Sequence, residues 1–376
     1  MDVLIIPDSF KGSLTASEVS RVMEAALKKV LPSCNTRLMP FSDGGEGALE
    51  VLQKYAQGTR IDCATTDALA RPIKAPYFAF SDQKSAWVEL SQTAGLAQLK
   101  KEERNPLITS TRGTGKIILQ LLEKNLRKIY IGIGGSATQD LGTGILSELG
   151  VRFLDEQGKV LPPGGGELYR LAHIDLRFLN KKALHTEWIV ACDVQNPLLG
   201  KEGTAHTYAR QKGASAKEID QLERGGVRFA EVVQKQLQID LSTLKGGGAA
   251  GGVSAGLHAL LNAQLVEGFE LLATATGLKK ILPKFDLVLT GEGRFDEQSL
   301  FGKLPIQVAI IAKQEKIPTI VFAGHTHMKT IPDFPNCTLV NTTPPSMSPE
   351  KAMLNAEKNL FNAVFHTLQN FKSKTL

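Results

Sequence analysis

The strongest constraint on the fold is a rhythm repeated at both ends of the chain. Short apolar runs at 3–7, 36–41, 285–290, 318–323 and 337–341 alternate with polar or glycine-bearing loops and with stretches of helical periodicity. The first such stretch, 15–30, brings Val19, Val22, Met23, Ala26, Leu27 and Val30 onto one face. Thr15, with Glu18 three residues later, reads as its capping box. Strand–loop–helix units in succession predict an α/β sheet with a functional loop after each strand. Five such strands are what a flavodoxin-like sheet of order 2-1-3-4-5 requires.

The middle of the chain has another style. Segments 60–66, 72–80 and 85–89 read as three successive strands joined by short turns, and 116–125 reads as a helix. Strand 128–134 runs into a glycine-rich turn and a further helix. Strand 187–193 ends in Asp193-Val-Gln-Asn196-Pro197, and a polar helix over 217–238 leads to 246–252, where five of seven residues are Gly. A helix from 299 to about 313 and a closing helix over 350–371 belong to the outer pattern. The expected architecture is α/β: a discontinuous flavodoxin-like parallel-sheet domain, 1–60 plus 283–376, with a second α/β domain inserted at 61–282.

Composition narrows the class. With 376 residues, 42% of them apolar, and a net charge of +6, the chain has enough core for about two domains and is not disordered. Its four cysteines (34, 63, 192 and 337) are far apart and form no CxxC pair, so no structural zinc site is expected. Met1 is followed by Asp2 and an apolar strand, without a basic leader, and no apolar run approaches the roughly 20 residues of a bilayer span. These features predict a cytoplasmic protein with reduced thiols and no membrane partner. Basic residues are not interleaved with aromatics, so the excess charge reads as a solvated surface that helps gather an anionic substrate, with no nucleic-acid partner. An oligomer is left open.

In an open parallel sheet, ligands bind beyond the carboxyl ends of the strands. Those positions hold Asp8, Ser9 and Lys11 after the first strand, Asp43 and Glu46 after the second, and Glu292, Arg294 and Asp296 after 285–290. The inserted segment adds Gly132–Gly135 with Ser136, Thr138 and Asp140, and separately Asp193 with Asn196. Carboxylates, glycine turns and hydroxyls are the components of Mg²⁺-nucleotide chemistry: carboxylates hold metal or accept a proton, and backbone N–H groups at a helix N-terminus cradle phosphate. Helix capping is the structural alternative for Asp8, Asp43, Ser136 and Thr138, and an ordinary helix-face charge is the alternative for Lys303. His325 and His327, at i and i+2 without a third ligand, are a weak metal signal.

Three familiar strings fail or compete. The Gly-Lys pairs at 115–116 and 302–303 lack the remainder of a P-loop. Gly132-x-Gly134-x-x-Ala137, between a strand and a helix and with Asp155 further on, matches the dinucleotide fingerprint and supports a rival reading as an NAD-dependent dehydrogenase of a small hydroxy acid. Gly252-Val-Ser254-Ala-Gly256 matches a nucleophile elbow, but glycine and alanine precede it where an apolar strand is needed.

Longer strings are more specific. Ile6-Pro-Asp-Ser-Phe-Lys-Gly-Ser-Leu14, Ser42-Asp-Gly-Gly-Glu-Gly47, Gly132-Ile-Gly-Gly-Ser-Ala-Thr138, Cys192-Asp-Val-Gln-Asn-Pro-Leu198 and Thr290-Gly-Glu-Gly-Arg-Phe-Asp-Glu-Gln-Ser299 resemble the bacterial glycerate kinase type-1 family. Arg112-Gly-Thr-Gly115, Gln211-Lys-Gly-Ala214 and Gly248-Ala-Ala-Gly-Gly252 fit it too. Tyr208-Ala-Arg210 and Leu244-Lys-Gly-Gly247 depart from its pattern, in loops. The resemblance implies phosphorylation of D-glycerate with ATP and Mg²⁺, with 2-phosphoglycerate favoured over 3-phosphoglycerate as product.

On that basis the expected base is Asp193, held by Asn196, with Asp43 the close alternative. Asp43, Glu292 and Asp296 are the expected metal carboxylates. Lys11 and Arg294 are expected to bind the glycerate carboxylate or the transferring phosphoryl group, beside Asp8, Ser9, Asn196 and Glu46 as substrate contacts. Gly134, Gly135, Ser136, Thr138, Gly248, Gly251 and Lys303 are expected to line the nucleotide. A non-catalytic sugar-acid-binding regulator is the remaining alternative.

Overall fold

The computed structural model describes residues 1–42, 44, 47–300 and 302–375, the side chains of 298 and 372–375 excepted. Asp43 and Glu46 therefore lie outside the described residues. The chain divides into two compact units, Met1–Asp43 with Phe269–Leu376, and Gly44–Gly268.

The first unit is built on a five-stranded, wholly parallel sheet in the order Cys337–Asn341, Thr319–Thr326, Leu287–Phe295, Asp2–Ile5, Asn35–Leu38. Numbered along the chain this is 5-4-3-1-2, the flavodoxin-like order. Alternate side chains leave opposite faces of a strand. Val3, Ile5, Leu287, Leu289, Ile320 and Phe322 accordingly share one core with helices Ala16–Val30 and Ala356–Thr375. Val321 and Ala323 turn the other way, into a smaller core with Phe295, Ile306 and Ile331. Thr15 caps the first helix, its hydroxyl accepting from the Glu18 N–H in a complete capping box.

Two readings of this unit need correction. The strand read as 285–290 continues through Gly291-Glu292-Gly293 to Phe295, pairing Glu292 with Ala323 and Arg294 with His325. A Cβ on Gly291 would lie 2.3 Å from the Phe322 carbonyl oxygen, and one on Gly324 would lie 2.5 Å from that of Gly293. These glycines let two strands approach; they do not open a loop. The helices also divide differently. Leu304–Gln314 begins after Lys303, with Pro305 in the first turn, where its missing N–H costs nothing. The closing helix is two, Pro349–Leu354 and Ala356–Thr375.

The second unit carries a six-stranded sheet in the order Gln264–Val266, Glu187–Ala191, Lys128–Gly132, Ser85–Glu89, Pro72–Phe80, Gly58–Thr66. Its first four strands are parallel and the last two antiparallel. Helix Ala48–Tyr55, which the sequence placed in the first domain, groups with this unit. The glycine run conceals a helix, Ala249–Leu261, that opens with Ala250, Gly251 and Gly252 all in the left-handed region. Ser254 of the elbow-like string lies inside that helix, buried, with its hydroxyl donating to the Gly246 carbonyl. Among the described residues no helix is long and apolar enough to cross a membrane.

Candidate active site

In the first unit, a cavity of about 640 Å³ opens at the carboxyl ends of the parallel strands. Four adjacent strands supply its lining. Asp8, Ser9 and Lys11 follow the first strand, and Glu292 and Arg294 come from the long central one. His325 lies near the end of the next strand and His327 just after it, and Thr342 and Thr343 follow the edge strand. The ring atoms His325 Nε2 and His327 Nε2 are 3.2 Å apart.

The charges here are partly paired. Glu292 is buried at 6% exposure, and its Oε2 lies 3.3 Å from Lys303 Nζ. Its other oxygen, Oε1, is buried without a hydrogen-bond partner among the described residues. Burial raises the Glu292 carboxyl above its ordinary range, against the opposing pull of Lys303. Lys303 occupies the N-cap position of Leu304–Gln314 and also donates to Ser299 Oγ at 3.0 Å. Arg294 pairs with Asp296 at 3.1 Å, and Asp296 does not line the cavity. Asp8 is fixed by its own backbone, with its N–H donating to the Gly291 carbonyl and its Oδ1 accepting from the Ser9 N–H at 2.6 Å.

In the second unit, strand Lys128–Gly132 ends in a turn through Gly134, Gly135 and Ser136. Gly135 has φ of +69°, which suits the residue without a side chain. The backbone N–H groups of these three residues donate to no described residue. The next helix, Thr143–Glu148, starts well downstream, with Gly142 at its N-cap. Ser136 and Thr138 therefore cap no helix, and the dinucleotide fingerprint lacks the strand–turn–helix setting that its chemistry needs. These N–H groups belong to the turn itself and not to a helix N-terminus.

Lys212 stands behind this turn. Its Nζ is buried and donates to Ser136 Oγ at 2.9 Å, the Thr138 carbonyl at 2.7 Å and Gln139 Oε1 at 3.4 Å. Burial pulls the ammonium down to about 7, against the attraction of Asp140. The Thr138 hydroxyl is buried without a hydrogen-bond partner among the described residues. Asp140 is fully buried and accepts from the N–H groups of Thr111, Gly142 and Gly144 and from the hydroxyls of Ser110 and Thr111. Burial raises its carboxyl, and the Thr111 donors oppose that.

Asp193, Asn196, Gly248 and Gly251 belong to the same unit. Asp193 follows strand Glu187–Ala191, and its Oδ1 accepts from the Gly268 N–H at 2.8 Å. The Asn196 amide donates to the Glu202 carbonyl, and its oxygen accepts from the Tyr208 hydroxyl at 2.7 Å. Gly248 packs on the Pro197 carbonyl, and its N–H is engaged by the Asn196 carbonyl, so it has no N–H for phosphate. Gly251 packs on the Thr138 carbonyl.

The family model of the glycerate kinase family matches residues 3–372. This chain belongs to the glycerate kinase family. It is 42% identical to a glycerate kinase of Halalkalibacterium halodurans over 86% of this chain and 85% of that one. It is 41% identical to a glycerate 2-kinase of Escherichia coli over the same shares. A crystal structure from Salmonella typhimurium LT2, of a protein with the provisional name glycerate kinase 2, matches with a TM-score of 0.81 at 38% identity, covering 100% of this chain and 99% of that one. Membership makes the chain a kinase.

Sequence reasoning missed two buried ionisable groups of this family member. Lys212 sits in a string that matched the family, yet nothing in its spacing marks a buried lysine. Glu89 ends strand Ser85–Glu89, and its Oε1 accepts from the Leu49 N–H at the start of helix Ala48–Tyr55. Burial pushes its carboxyl up to about 7, against the Leu49 donor. Tyr208, which departs from the family pattern, is the residue that engages Asn196.

Proposed function

We propose that this chain transfers the terminal phosphoryl group of ATP to D-glycerate with Mg²⁺, forming 2-phosphoglycerate. One observation carries the reading: the buried Oε1 of Glu292, without a hydrogen-bond partner among the described residues, in a cavity bordered by Lys11, Arg294 and Lys303. A buried carboxylate oxygen without a partner is costly. A hard cation satisfies it, and Mg²⁺ takes one or two carboxylates together with waters and phosphate oxygens. The donor set fits that ion, with Glu292 as the described ligand and Asp43 as the second carboxylate we favour. When bound, Mg²⁺ would neutralise phosphate charge.

The chain's own groups supply the rest. The glycerate hydroxyl oxygen bonds to the terminal phosphorus, the bond to ADP breaks, and the hydroxyl proton passes to the Asp193 carboxylate. Lys11 and Arg294 bind anionic oxygens of the acid or of the transferring group. The N–H groups of Gly134, Gly135 and Ser136, with the Thr138 hydroxyl, receive a further anionic group. Gly251 shapes that turn by packing on the Thr138 carbonyl, and Gly248 packs on the Pro197 carbonyl. We take the two compact units as the two domains, and we place the activity in the cytoplasm, where the four cysteines, free here, would stay reduced.

The 2-phosphate is favoured because the Escherichia coli relative is a glycerate 2-kinase by name. Phosphorus NMR of the product made from ATP and D-glycerate tests the reading. A 2-phosphoglycerate resonance is expected. A 3-phosphate would overturn the regiochemistry, and no phosphorylated acid would overturn the reaction.

A further inference from the structure

The cavity of the first unit is too large and too varied for a three-carbon acid alone. Its volume of about 640 Å³ is in the range that takes drug-sized ligands. Four adjacent strands contribute to it, and three inter-strand spacings make about 14 Å. Its floor is charged, with Asp8, Lys11, Glu292 and Arg294 on or after the two central strands and Lys303 at the N-cap of helix Leu304–Gln314.

Its other wall has a different chemistry. Beyond the edge strand, Met347, Pro349, Ala352, Met353 and Ala356 line the same space. Met353, on the short helix Pro349–Leu354, is 49% exposed, and its terminal methyl comes within 2.6 Å of where a Cβ on Gly12 would stand. This helix therefore reaches over to the loop of the first strand and roofs the cavity with methionine. Met347 is held in place by Asn359, whose side-chain amide donates to the Met347 sulfur at 3.3 Å. Thioethers pack well against flat aromatic surfaces. An apolar roof over a floor that carries Lys11, Arg294 and Lys303 beside the carboxylates of Asp8 and Glu292 matches a ligand with an aromatic plate at one end and a polyanion with its bound cation at the other.

We propose that this cavity binds the nucleoside triphosphate donor, with its base against Met347 and Met353 and its phosphates along Lys11, Arg294 and Lys303. The inference rests on the kinase reading and deepens it by assigning the donor to the first unit. The histidine pair, between the two walls in strand order, then lies beside the middle of the ligand.

Isothermal titration of the full chain without glycerate tests this, using the imido analogue of ATP and inorganic triphosphate as separate probes. The expected result for Met347→Ser/Met353→Ser is at least tenfold weaker binding of the analogue, with triphosphate binding within twofold of wild type. Met347→Leu/Met353→Leu should restore the analogue affinity, and the glycerate KM should be unchanged in both variants. Unaltered analogue affinity in the serine variant, or a raised glycerate KM in its place, would overturn the assignment. Failure of the kinase reading would appear separately, as wild-type protein that releases no ADP when glycerate is added, while the titration still reports on the cavity.

Discussion

The Lys212 ammonium lies 2.9 Å from the Ser136 hydroxyl, and both residues are buried. A buried amine with three oxygen acceptors ties the segment Arg210–Lys212 to the turn that we propose receives an anionic group. Lys212→Met removes that tie and leaves the acceptors unsatisfied, which costs about 1–3 kcal/mol for each group that stays buried without a donor. We expect kcat/KM to fall by about 10²-fold through misplacement of the turn. Steady-state kinetics on folded variant checks this, and wild-type kinetics would contradict it.

The same lysine has a pH signature. Its folded value is about 7 against an ordinary 10.5, so between these limits the unfolded chain holds a proton that the folded chain lacks. Stability then rises with pH across that window, and the burial cost is greatest below it. Urea unfolding at pH 7 to 10.5 should show wild type gaining on Lys212→Met as pH increases. Parallel curves would contradict a buried, depressed amine.

Glu89 should behave in the opposite sense. Its carboxyl is raised from 4.5 to about 7, so in that window the folded chain holds the extra proton and stability falls as pH rises. Glu89→Gln keeps an oxygen for the Leu49 N–H but has nothing to ionise. The variant should gain on wild type between pH 4.5 and 7 in thermal melts. Equal slopes would show that Glu89 is solvated and ionises normally.

Gly251 and Gly158 form a matched pair, with φ of +75° and +76°. A Cβ on Gly251 would lie 2.1 Å from the Thr138 carbonyl oxygen, whereas one on Gly158 meets nothing within 4 Å. Alanine at 158 should cost about 1–2 kcal/mol from backbone strain alone. Alanine at 251 should cost more, by displacing the turn at Thr138, and should also lower activity. Denaturant midpoints and turnover separate the two, and equal effects would mean that the close approach is unimportant.

Much of the fold was legible because parallel strands leave continuous apolar runs. Val3, Ile5, Leu287 and Phe322 lie on one face as the alternation requires, and the 5-4-3-1-2 order followed from counting strands. Short elements such as Arg152–Leu154 and Gln264–Val266 were not legible, since three residues cannot display a period. The glycines misled in one respect. Gly291, Gly248 and Gly251 serve close packing of backbone against backbone, which composition does not distinguish from a ligand loop. At the site, chemistry-bearing residues at strand ends were visible, but the burial of Lys212, Glu89 and Glu292 depends on neighbours distant in sequence. So does the methionine roof, which a periodic reading treats as ordinary helix.

The most direct measurement of the central claim is ADP release by the purified chain in a coupled assay, with D-glycerate and Mg²⁺ varied independently. The account predicts release that requires both and that falls sharply in Glu292→Gln. Release independent of glycerate, or oxidation of glycerate by NAD without ATP, would contradict it.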